Sequence, residues 1–115
     1  MLAHGALLRK NFFSVEELIN IVKDFHHANL SEEEVALMAF AQKITLYAPH
    51  ISEKDYSELR AVGLTDEEIL DVVLACTARS FFSKTLDALG AEPDEIYTEL
   101  EPELVEVLAI GRPFT

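Results

Sequence analysis

Four times between Ser14 and Glu68 the chain sets a serine or threonine three residues ahead of an acid: Ser14 with Glu17, Ser31 with Glu34, Ser52 with Asp55, and Thr65 with Glu68. This spacing is the helix capping box, in which the hydroxyl takes the N3 backbone N–H and the acid reaches back to the cap's own N–H. Apolar residues recur at three and four after each box, the period of an amphipathic helix. Nothing in the chain alternates as a strand does. The spacing therefore predicts an all-α fold of about six helices.

The expected helices follow in order. The first covers Ala3 to Lys10, with Leu7 and Leu8 inward and Arg9 and Lys10 suited to its C-terminal dipole. The second, capped by Ser14, buries Val15, Leu18, Ile19 and Val22 and runs to about His27. The third starts after Ser31 and stops near Pro49, since the residue before a proline leaves helical geometry. The fourth follows Ser52, turns Tyr56, Leu59 and Val62 inward, and ends at Gly63. The fifth and longest runs from the Thr65 cap to Gly90. Gly63 and Gly90 are each placed for a left-handed C-cap. After the acidic link "GAEPDE", Pro102 opens a last short helix that Gly111 and Pro113 close.

The fifth helix carries an excess of apolar surface. Between Ile69 and Ala78 only Asp71 and Thr77 are polar. A helix that is apolar nearly all round needs cover all round. A subunit interface is the natural cover in a chain of 115 residues. A homo-oligomer built on the helix containing Ile69 to Phe82 is therefore expected.

Charge narrows the partners. The chain has 21 acidic and 9 basic residues, a formal net charge of −12. Phosphate binding needs a positive footprint, so nucleic acid is excluded, and so is an anionic membrane surface. The densest apolar run, "ILDVVLACTARSFF", is too short to span a bilayer. Cys76 is the single cysteine, which rules out an internal disulfide and fits a reducing compartment, the cytoplasm.

The residues that carry chemistry are few. No phosphate loop, zincin histidine pair or nucleophile elbow occurs. No metal or other cofactor is expected. His26 and His27 are neighbours and would point about 100° apart on a helix, a poor bite for one metal. His50 follows a proline in a loop. Cys76 lies in the apolar stretch of its helix, where a lone cysteine behaves as a small hydrophobe. Arg79, one turn on, is the one cation placed to lower its pKa. His4 differs: it stands beside Gly5 and Ala6, small residues that let another helix approach, and a histidine there suits a proton carrier at a pocket wall.

With "AHGALLRK" in view, the chain resembles the AhpD-like peroxidase-related family, which shares its fold with carboxymuconolactone decarboxylase. The segments "LSEEEVALMAFAQKIT", "DYSELRAVGLTDEEILDVVLA", "SFFSKTLDALGAEPDEIY" and "GRP" agree in order and spacing, so that the resemblance covers essentially all of residues 1–115. It implies a single AhpD-like helical-bundle domain that assembles as a dimer, trimer or hexamer. It also implies reduction of hydroperoxides by a Cys-x-x-Cys pair on a helix, without haem or metal. In that scheme the second cysteine attacks the peroxide and the first resolves the sulfenic acid as a disulfide. A histidine four residues after the second cysteine, with an upstream glutamate, relays protons. His4 matches that histidine.

Counting back four from His4 reaches the position just before Met1, so neither cysteine of the pair is on this chain. Two accounts follow: a domain truncated at its N-terminus, or a short member that has lost its dithiol. A further departure lies on the fifth helix. The family's Asn-Phe-x-Asn-Arg segment reads Ser80, Phe81, Phe82, Ser83 and Lys84 here, hydroxyls in place of amides. Three functions are then open. One is a peroxidase-related protein whose dithiol cycle this chain cannot complete. Another is a decarboxylase-like enzyme with His4 as general acid or base on a small cyclic carboxylate or lactone, which needs a pocket where His4 and a cation such as Arg9 converge. The last is a non-enzymatic oligomeric helical protein.

Overall fold

The computed structural model describes residues 1–109. Those residues form six α-helices: α1 (Leu2–Asn11), α2 (Val15–Lys23), α3 (Glu32–Tyr47), α4 (Glu53–Ala61), α5 (Asp66–Ala88) and α6 (Pro102–Leu108). Short 3₁₀ turns at Phe25–His27, Ala48–His50 and Glu95–Glu99 join them, and no strand occurs among the described residues. The all-α expectation holds. The expected stops at Gly111 and Pro113 lie outside the described residues.

The capping chemistry is in place. The N–H groups of Glu17, Glu34 and Glu68 donate to the hydroxyls of Ser14, Ser31 and Thr65 at 3.2, 3.1 and 3.2 Å. The three carboxylates accept the cap residues' own N–H groups at 2.9, 2.8 and 3.1 Å. At Ser52 the shorter Asp55 still reaches, accepting the backbone N–H at 2.8 Å and the hydroxyl at 3.2 Å. Each box satisfies donors that a helix N-terminus otherwise leaves to water.

One boundary moved. α2 ends at Lys23, four residues before the expected end at His27, because Asp24 leaves helical geometry at φ −159° and caps the next turn instead. Its carboxylate accepts the His26 N–H at 3.0 Å and lies 2.6 Å from His27 Nδ1. A short acid that bonds forward to nearby backbone competes with continuation of the helix.

The chain divides into two compact units, one of residues 1–29 with the segment from Ala91 onward and one of residues 30–90. In the first, Leu2 of α1, Leu18 of α2, and Leu104 and Leu108 of α6 form the buried core, with Val15, Ile19 and Val22 packed on it. Gly5 is buried in α1, and a Cβ there would overlap the Leu108 side chain. The small residue beside His4 therefore does admit another helix closely, and that helix is α6.

In the second unit, Phe40 and Ile44 of α3, Leu59 of α4, Leu64, and Ile69 of α5 form the core. The turn from α4 to α5 is a Schellman motif. The N–H of Leu64 donates to the Leu59 carbonyl at 3.2 Å and that of Gly63 to Arg60 at 3.0 Å, with Gly63 at φ +104°. Leu59 and Leu64 also join the same apolar cluster, which locks the turn to the core it helps build. Gly90 closes α5 at φ +73°, as expected.

α5 is covered on one side. Ile69 is buried, and Val72, Val73 and Cys76 pack against the core that α3 contributes. On the other face Leu70 and Leu74 are each 56% exposed and Phe81 is 76% exposed. Among the described residues, no helix is long and apolar enough to cross a membrane.

Candidate functional site

α1 carries the histidine singled out by sequence. Gly5 and Leu2 face the core of their unit, and His4 is exposed. Arg9 turns to the segment that enters α6, where its Nε and Nη2 donate to Glu101 Oε1 at 3.0 and 2.8 Å. The Glu101 backbone N–H and the Arg9 guanidinium hold the Glu101 carboxyl below its usual range. Five residues on a helix turn through about 140°, so His4 and Arg9 leave α1 in different directions. Neither residue lines either of the two cavities described below. The convergent pocket that a decarboxylase-like acid–base reaction needs has no support in this geometry.

The remaining histidines are at the surface. His27 Nδ1 sits against Asp24 Oδ2, and the His26 ring lies 4.3 Å from that of Phe25. His50 is exposed beside Tyr47, with 6.3 Å between ring centroids. Hydrogen bonding to His27 holds the Asp24 carboxyl below its usual range. Among the described residues, no three His, Cys, Asp or Glu side chains gather as a metal site would require.

Cys76 is half-buried, and burial pushes its thiol pKa up. A reactive cysteine needs the opposite shift, because the thiolate is the nucleophile. Arg79 does not supply it. Its guanidinium turns along the helix, donating to Ser83 Oγ at 3.3 Å and lying 5.3 Å above the Phe82 ring. Cys76 thus serves as a packing residue at the edge of the α3–α5 core.

Two cavities adjoin this unit's helices. The smaller, about 140 Å³, lies between α3 and α4 beside Lys43 and Asp55. Lys43 Nζ donates to both Asp55 oxygens at 2.9 Å, so its polar groups already satisfy each other. The larger is a groove of about 520 Å³, walled by Cys76, Arg79, Ser80, Ser83, Lys84 and Asp87 on α5, with Thr45 from α3. Sequence reasoning passed over this groove. Its signal was the seam Ile69, Val73, Cys76, Ser80, Ser83, Asp87, which keeps a four–three spacing and so stays on one side of the helix. The seam is apolar as far as Cys76 and polar beyond it. Ser80 and Ser83 sit on that polar half.

No protein-family model matches the sequence, and no curated protein matches it.

Proposed function

We propose that this chain is a peroxidase-related helical protein of the AhpD-like type, one domain that works as a cytoplasmic oligomer and does not itself complete a dithiol cycle. The observation that carries the reading is α1. "AHGALLRK" forms one helix in which Gly5 is pressed against Leu108 and His4 stays exposed beside it, free to meet a thiol placed one turn ahead of it. The chemistry limits what the chain can do alone. A thiolate attacking a hydroperoxide takes one oxygen and releases an alcohol, leaving a sulfenic acid. A second thiol must then displace water from it to form a disulfide. With Cys76 as the only thiol, its pKa raised by burial, the sulfenic acid would have no second thiol to resolve it.

The uncovered face of α5 supports the oligomer. Leu70, Leu74 and Phe81 stand exposed along it, and an apolar strip of this kind is characteristic of interaction surfaces. A dimer, trimer or hexamer would bury it. The same face, with His4 outside any described cavity, favours a second reading: an oligomeric helical protein with no catalysis of its own.

Hydroperoxide assays separate the two. The purified chain is expected to show no dithiol-dependent turnover. Robust turnover with a thioredoxin-like reductant that survives Cys76→Ser would falsify the proposal. The positive test extends the chain by Cys-Ala-Ala-Cys directly before Met1, which puts the second thiol four residues ahead of His4. Hydroperoxide consumption should appear and fall about a hundredfold with His4→Gln. An extended chain that forms the disulfide yet consumes no hydroperoxide favours the non-catalytic reading.

A further inference from the structure

The groove along the second half of α5 is the concave surface where the charge pattern of this protein reverses. Acids outnumber bases 21 to 9, and half of the eight described lysines and arginines are paired with them. Arg9, Lys43, Lys54 and Arg60 each pair with a carboxylate. Arg79 and Lys84 do not, although both line the groove. Lys10 and Lys23 also lack ion pairs among the described residues, but neither lines a described cavity. Arg79 is moreover held in place: Ser83 accepts from one Nη and the Phe82 ring lies beneath the guanidinium. A guanidinium fixed on an aromatic face keeps its remaining donors aimed and loses little entropy on binding.

The groove has a polar end and an apolar end. Ser80, Ser83 and Lys84 stand at one, and Ala75 and Cys76 at the other, where the core seam begins. Asp87 is the single acid in the wall, so Arg79, Lys84 and Asp87 together leave one net positive charge. That balance suits a monoanion better than a phosphate dianion. The volume of about 520 Å³ falls within the range of small-molecule sites.

We propose that this groove binds an acyclic amphiphile with one carboxylate, such as a medium-chain fatty acid. The headgroup meets Arg79 and Lys84, and the hydrocarbon lies toward Ala75 and Cys76. The site is independent of the peroxidase reading, since neither His4 nor any thiol chemistry takes part.

Cys76 makes occupancy measurable. It is the only cysteine and lines the groove, so its alkylation by neutral iodoacetamide reports directly on that wall. Octanoate should slow alkylation in a saturable way with a midpoint of about 1 mM, while 1-octanol should not. The Arg79→Gln/Lys84→Gln double variant should shift the midpoint at least about tenfold. A Lys10→Gln/Lys23→Gln variant, with the same change in net charge, should leave it in place. Arg79→Lys keeps the charge but not the fork and should give an intermediate shift. Each variant is compared at matched helical circular dichroism. Absence of protection, equal protection by octanol, equal protection by inorganic phosphate, or protection that survives the double variant overturns the proposal.

Discussion

The side chain of Leu108 occupies the space where Gly5 would carry a Cβ. An ideal Cβ there would lie 3.0 Å from Leu108 Cδ2 and 3.3 Å from Cγ, and would overlap Cδ1 outright. Leu108 is 3% exposed and has little room to retreat. Gly5→Ala gains about 1 kcal/mol in helix propensity but overpacks the site, which typically costs about 1–3 kcal/mol. The net expectation is a loss of about 1 kcal/mol in urea unfolding. In a Leu108→Ala background the overlap is gone, and the same change should become neutral or stabilising. Additive effects in that cycle would show that the two residues are not coupled.

Asp55 joins two structures at once. Its carboxylate caps α4 at Ser52 and receives both bonds from Lys43 on α3. The Lys43 ammonium, followed by the Ser52 backbone N–H, holds its pKa below the ordinary value. A depressed folded-state pKa contributes stability above the unfolded value of about 3.9, and that contribution disappears as pH falls through the folded pKa. Asp55→Asn should therefore be less stable than the native chain at neutral pH. The gap should close on acidification below about pH 4. A gap that stays constant from neutral to acid pH would assign the effect to packing instead.

Gly63 adopts φ +104° with no atom near the position of a Cβ, so any penalty for a side chain there comes from the backbone alone. Gly63→Ala should cost about 1–2 kcal/mol, with no compensation from trimming neighbours. Thermal unfolding checks it. A neutral result would mean that the α4–α5 turn relaxes out of its Schellman geometry.

The outer face of α5 can be tested without disturbing the core. Leu74 and Phe81 are exposed in the single chain, so Leu74→Glu and Phe81→Glu should preserve the helical content. If α5 forms the subunit contact, both changes should lower the sedimentation coefficient toward the monomer. A native chain that sediments as a monomer at every concentration would remove the oligomer.

The helices were legible in the sequence because capping is local chemistry. Ser14, Ser31, Ser52 and Thr65 each bond residues three positions away, and Gly63 and Gly90 need no distant partner to turn left-handed. Even the early stop of α2 follows from Asp24 bonding to its neighbours; local competition between cap and helix was simply resolved in favour of the cap. The groove was less legible. Its seam of Cys76, Ser80, Ser83 and Asp87 can be written out from spacing, but that it forms a cavity wall together with Thr45 depends on where α3 packs against α5.

By itself the sequence determined the helical secondary structure, the capping of most of its helices and its excess of acid, since each depends on residues a turn or less apart or on a simple sum of charges. The tertiary structure decided which of α5's two apolar faces meets α3 and which stays bare. It also decided that Arg9 is taken by Glu101 and so does not join His4, and that Arg79 and Lys84 share a concave wall while Lys43, Lys54 and Arg60 are paired with carboxylates. Those outcomes depend on which helices pack together, and packing is set by the mutual fit of faces from distant parts of the chain. Gly5 shows both levels together: a small residue in a helix by sequence, and by structure the point where α6 rests on α1.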